Sequence, residues 1–174
     1  MASKLKTDIL ETVSGSGTIA LTNQLSGMTS ASVPSGSVIQ VIHVNYGTGT
    51  VSTSDTMVDT GITAAITPIS ASSKILVTIH ASDPYKSATG TTSAINMRIV
   101  RGSTQIHAFA NANLFTGTAM QNNGVPMSAT YLDSPSTTNS TTYKVQFKRY
   151  AATGQIGINV SSGVSTITLM EIKG

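Results

Sequence analysis

Groups able to do chemistry are scarce in this chain. Its 174 residues include seven carboxylates, at Asp8, Glu11, Asp55, Asp59, Asp83, Asp133 and Glu171, three histidines, at His43, His80 and His107, and no cysteine. Thiolate nucleophiles, disulfides and thiolate-bound metals are thereby excluded. Asp55 and Asp59 bracket a short apolar segment and could share a cation, but they lack calcium-loop spacing, and acids so placed are ordinarily turn residues. The histidines could make a metal site or a proton switch if they converged. Without an acid at supporting spacing, each reads better as a hydrogen-bonded imidazole on a sheet face. Glu171, in TLMEI, reads as a rim or paired carboxylate; if buried it needs a partner such as Arg98 or Arg101. No nucleophile-elbow, zincin, phosphate-loop or dinucleotide motif occurs, and SGSG at residues 14–17 has no strand before it or helix after it. A polysaccharide-cleaving enzyme needs two acids facing one groove, which this supply makes improbable. The expectation is a noncatalytic protein with no cofactor and no metal.

Charged residues make up only 10% of the chain, against a usual quarter or so. The net charge of +3 rests on ten Lys and Arg scattered over the whole length, so no nucleic-acid partner is expected. Lys144, Lys148 and Arg149 form a short basic strip, which reads as a solvated strand face. Trp is absent and aromatics are 5%, thin for base stacking or a sugar platform. No apolar run approaches the roughly 20 residues of a membrane span, and MASKLKTDIL does not read as an export signal.

These sparse groups must be held by strands, because apolar residues recur with period two almost everywhere. The clearest runs are Val38 to Val44, Lys74 to Ala81, Ile95 to Arg101, Thr104 to Ala110, Met127 to Leu132, Tyr143 to Tyr150, Ile156 to Val160 and Thr166 to Ile172. Weaker ones lie at Thr56 to Val58 and Ile62 to Ile66. RGST at residues 101–104 reads as a tight hairpin. Longer polar loops are expected at 83–92, 111–123 and 133–142. The predicted fold class is all-β, an antiparallel jelly-roll sandwich of eight to ten strands.

Faces can be assigned within the runs. Tyr143, Val145 and Phe147 share one face, with Lys144, Gln146 and Lys148 opposite. Ile75, Val77, Ile79 and Ala81 form a buried face, which leaves Leu76 as an apolar residue outside. The run from Val38 is apolar on both faces and requires cover on both. Self-association is the simplest cover, with Val38, Val41, Ile42 and Leu76 at the interface. The first 33 residues show no sustained alternation and cannot build a core. They read as an extended attachment arm, followed from residue 34 to 174 by the jelly-roll head.

The segments TGITAAITPISASSKILV (60–77), INMRIVRGST (95–104) and STITLMEIKG (165–174) resemble those of small virion proteins of marine and cyanobacterial phages. KLKTDILETVSGSGTIALTNQLSGMTSA resembles the lead-in of phage tail-fibre proteins. From Val38 onward, length and strand layout are similar to the C1q/TNF-like jelly roll, although three Phe and five Tyr are fewer aromatics than such heads carry. The resemblance implies a virion location and a homotrimer, a tail fibre or spike whose arm joins other virion proteins and whose head points outward. The alternative it leaves open is a capsid decoration protein at threefold positions of the shell. A host receptor or glycan would be met by the polar loops, with Asp83, Tyr85, Lys86, Asp133 and Asn139 the residues expected to touch it.

Overall fold

In the computed structural model, residues 33–87, 94–114, 125–150 and 154–174 are described. Apart from Val33, the expected arm lies outside the described residues, as do Asp8, Glu11, the SGSG segment and the loop stretches 88–92 and 115–123.

Eleven strands and no helix form among the described residues. They are β1 (Val38–Tyr46), β2 (Thr50–Ser52), β3 (Val58–Ile66), β4 (Lys74–Ala81), β5 (Tyr85–Ser87), β6 (Ile95–Arg101), β7 (Thr104–Asn113), β8 (Met127–Asp133), β9 (Thr141–Arg149), β10 (Gln155–Ile158) and β11 (Ser165–Ile172). One four-stranded sheet has the order β1-β11-β4-β8 and the other β3-β9-β6-β7, with a small third sheet β2-β10-β5. All pairings are antiparallel. Leaving the short strands aside, the first long strand pairs with the last, the second with the seventh, the third with the sixth and the fourth with the fifth. That is a long hairpin rolled over on itself, the jelly roll.

The core lies between the two large sheets. Ile75, Val77 and Ile79 of β4 and Ile167 and Leu169 of β11 meet Ile62 and Ile66 of β3, Met97 and Ile99 of β6, and Val145 and Phe147 of β9. All are buried, each contributing about 1.5–3 kcal/mol. Gly102, at φ +59, occupies the first central position of the two-residue β6–β7 turn, where a type II′ geometry requires glycine.

Two differences from the sequence reading have clear causes. The weak runs at Thr56 to Val58 and Ile62 to Ile66 resolve into one strand, β3, which begins only at Val58, leaving Thr56 and Met57 outside it, and whose register shifts between Asp59 and Thr63. Gly61 sits there at φ +95 with the Tyr46 ring where a Cβ would stand, so only glycine fits. Buried Thr60 donates to the Val145 carbonyl (2.8 Å) and accepts from the Ile62 amide (3.2 Å). A hydroxyl and a glycine in the interior erased the apolar alternation. Strands β2 and β5 are three residues each, too short for a period to show.

Candidate interface and binding surfaces

Residues paired across neighbouring strands share a face, so the registers define rows across each sheet. On the outer face of the β1-β11-β4-β8 sheet, one row reads Val41, Met170, Leu76, Leu132. Val38 and Ile172 pair beside it. Val38 is 52% exposed, Val41 54% and Leu132 48%. Met170 and Leu76 between them are half-buried, and an unbroken apolar row on an outer sheet face, exposed at both ends, is a surface that lacks its cover. The next rows are polar: His43, Thr168, Thr78, Thr130, then Asn45, Thr166, His80, Ser128.

Three of the four residues expected at a self-association surface, Val38, Val41 and Leu76, lie on this face. Ile42 does not. It pairs with Leu169 and packs against the core, because a strand turns successive side chains to opposite sides. Met170, Ile172 and Leu132 complete the patch and escaped the sequence reading. The signal was available in STITLMEI, where Thr166, Thr168, Met170 and Ile172 form the phase opposite to buried Ile167 and Leu169.

The same phase puts Glu171 inside. Its Oε1 accepts from the Ile69 amide (2.7 Å), and Gln40, with its amide nitrogen turned inward, reaches Oε2 (3.2 Å) and the Thr67 carbonyl (3.3 Å). The expected arginine partners are engaged elsewhere. Arg98 donates to Gln146 and Gln105, and Arg101 to Asp133. Glu171 is thus a strap between strand and loop instead of a rim carboxylate.

The three histidines do not converge. His43 bonds Thr168 (2.8 Å) and Asn45 (3.0 Å), and His80 contacts Ser128 (3.4 Å), both on the apolar-patch sheet. His107, on β7, stacks on Tyr131 of β8 at 5.1 Å. Among the described residues no three His, Asp or Glu side chains are grouped to hold a metal. Asp55 and Asp59 each have their own cation, Arg149 (3.0 Å) and Lys144 (2.9 Å), which removes the reason to share one.

The outer face of the β3-β9-β6-β7 sheet is built differently. Lys144 and Gln146 donate to the two oxygens of Asp59, Arg98 donates through Nε to Gln146 (2.9 Å) and through Nη1 to Gln105 (3.0 Å). This ladder crosses all four strands. Hydrogen bonds from Gln146 and then Lys144 hold the Asp59 carboxyl below the usual carboxylate range. The basic strip expected along β9 is accordingly part neutralised, with Lys144 and Arg149 both paired.

Of the residues expected to meet a receptor, Asn139 is exposed, while Asp83, at φ +45, and Tyr85, on β5, are half-buried. Lys86 and Asp133 need correction, since both are buried. Lys86 lies in β5, the strand that forms inside the expected 83–92 loop, and burial lowers its pKa. Asp133 ends β8 and holds the sandwich together, accepting from Arg101 Nη1 (2.9 and 2.8 Å) and from the buried Tyr143 hydroxyl (2.7 Å). Burial, reinforced by the Asp133 carboxylate, pushes the Tyr143 phenol far above its usual range.

Beside this cluster a cleft of about 400 Å³ opens between the β6–β7 turn and the β8–β9 connection. It is lined by Arg101, Gly102 and Pro135 and by hydroxyl and amide side chains from Thr137 to Thr142. Residue 102 donates its amide to the Thr142 carbonyl (2.8 Å), tying turn to loop.

No protein-family model matches the sequence, and no curated protein matches it. Among solved structures, the chain is similar to the VP2 subviral particle of infectious bursal disease virus, at 15% identity and TM-score 0.45 over 78% of this chain and 33% of that one. The T=1 particles derived from infectious bursal virus give 13% identity and TM-score 0.40 over 78% and 36%. The chain thus spans about a third of those chains, and no function follows from overlaps of this size.

Proposed function

We propose that this chain is a noncatalytic structural component of a phage virion, a homotrimeric tail fibre or spike. Its first 33 residues serve as the attachment arm and the jelly roll as an outward head. The observation that carries the reading is the apolar row Val41, Met170, Leu76, Leu132, exposed at its two ends and half-buried between them, on a face whose next rows are polar. Full burial of such a side chain is worth about 1.5–3 kcal/mol, and because these are already half covered or nearly so each contributes about half of that or less on assembly, summed over the row in every copy. Further copies of this chain are the occupant that fits, because the row crosses all four strands of the sheet and carries no charge. Threefold symmetry is the part supported by the C1q/TNF-like resemblance.

Light scattering on the full chain tests the assembly. A mass three times the 17.9 kDa of one chain is expected at micromolar concentration; a folded monomer there overturns it. Deleting residues 1–33 tests the arm. The head should keep its β circular dichroism yet fail to join particles, and a truncated head that still incorporates refutes the attachment role. Label on the capsid shell, instead of the tail, in electron micrographs would replace the fibre reading with decoration at threefold positions.

A further inference from the structure

The cleft between the β6–β7 turn and the β8–β9 connection has the parts of a ligand site that an attachment head needs. Its volume of about 400 Å³ falls within the range of roughly 300–1,000 Å³ for small-molecule sites. Among the described residues Arg101 is its one charged lining residue, and there every hydrogen bond that its guanidinium donates runs through Nη1, to Asp133 and to the Ser134 carbonyl (3.3 Å). The Nε and Nη2 edge therefore keeps its planar set of N–H donors unengaged among the described residues, in the geometry that grips a carboxylate with two parallel bonds.

That edge is also held still. Asp133, itself buried and fixed by Tyr143, clamps Nη1, so little side-chain entropy is lost when a ligand docks. The loop that lines the cleft is tied to itself as well. The Asn139 backbone amide donates to Thr137 Oγ1 (3.0 Å) and Thr141 Oγ1 donates to the Asn139 carbonyl (3.0 Å), holding a turn from which Thr137, Asn139 and Ser140 line the cleft. Hydroxyls and an amide in one cleft with a guanidinium fork match the hydroxyls and single carboxylate of an acidic sugar. A dianionic phosphate is a poorer match, since the Asp133 carboxylate already balances the Arg101 charge.

We propose that this cleft binds a carboxylated saccharide, a uronic-acid unit of a host-surface polysaccharide, with its carboxylate on the Nε and Nη2 edge of Arg101 and its hydroxyls on Thr137, Asn139 and Ser140. The inference rests on the outward-head reading and supplies the class of receptor for it. With no aromatic ring in the lining, affinity per site is low, and several copies acting together provide useful attachment.

The test uses the full chain, with its mass measured by light scattering in the same samples. Saturation-transfer NMR with glucuronate and with glucose, at millimolar concentration, should give transfer to glucuronate and at least about tenfold less to glucose. Arg101→Lys keeps a cation for Asp133 but loses the fork; it should stay folded and lose about tenfold in glucuronate affinity. Asn139→Ala, on an exposed loop, should weaken binding without touching Arg101. Equal transfer to both sugars, or glucuronate binding that survives Arg101→Lys, overturns the carboxylate assignment. No binding by a chain of trimeric mass overturns the site and leaves the assembly intact, whereas glucuronate binding by a monomer supports the site and refutes the assembly.

Discussion

On the outer face of the β3-β9-β6-β7 sheet, Lys144, Asp59, Gln146, Arg98 and Gln105 bond to one another in a continuous ladder, whereas on the outer face of the β1-β11-β4-β8 sheet Val41, Met170, Leu76 and Leu132 lie side by side without a polar group between them. Both faces use the same cross-strand geometry. The first is complete in water, since each polar group satisfies its neighbour and the remaining valences face solvent. The second is incomplete, because apolar area exposed in rows keeps its hydration cost until another surface removes it. What a sheet face is for can therefore be judged by whether its side chains finish their interactions within the face.

The strongest way to break this contrast is a charge in the apolar row. Leu76→Asp should reduce the assembly to a single-chain mass in light scattering, at a cost to association of about 3–5 kcal/mol, while circular dichroism stays unchanged. An unchanged mass would mean that the row is not the contact. One residue along β1, the phase reverses and so should the phenotype. Ile42→Ala should lower unfolding free energy by about 1–3 kcal/mol in urea titration, less than a fully buried isoleucine because Ile42 is only half-buried.

The polar face should respond far less. Gln146→Ala cuts the ladder in the middle, and the expected loss is below about 1 kcal/mol with no change in mass, since exposed ionic networks are worth little. The smallest effect is the pH dependence through Asp59. Its carboxyl is held below the usual range in the folded state, so the stability it contributes is present above its unfolded pKa near 4 and is lost as pH falls through the lower folded value. With its side chain 48% exposed, the contribution is about a few tenths of a kcal/mol. Asp59→Asn should flatten that part of the acid titration measured by thermal unfolding; a slope unchanged by the substitution would show that the ladder does not couple to folding.

Period-two patterning made most of the sandwich legible. Val77 and Ile79 inside, Leu76 outside, and Tyr143, Val145 and Phe147 on one face all followed from alternation, because neighbouring side chains on a strand must point oppositely. The loops were less legible. Lys86 and Asp133 looked like solvent residues by type, yet a three-residue strand buried one and the Tyr143–Arg101 pair enclosed the other. Both outcomes depend on partners far away in the chain, which local pattern does not encode.

What the sequence by itself determined was most of the strand content, the inner and outer phase of strands such as β4 and β9 and the shortage of catalytic groups, all of which are local properties of residue type and spacing. Only the tertiary structure decided which outer residues stand side by side. Val41, Leu76, Leu132 and Met170 come from four strands spread over most of the chain, and a single-residue slip in any one register would send its member to the core. The cleft has the same origin. Arg101 meets the 134–142 loop because β6 and β9 pair across the second sheet, and its Nε and Nη2 edge is left unengaged among the described residues because Asp133, at the end of a strand in the other sheet, occupies Nη1.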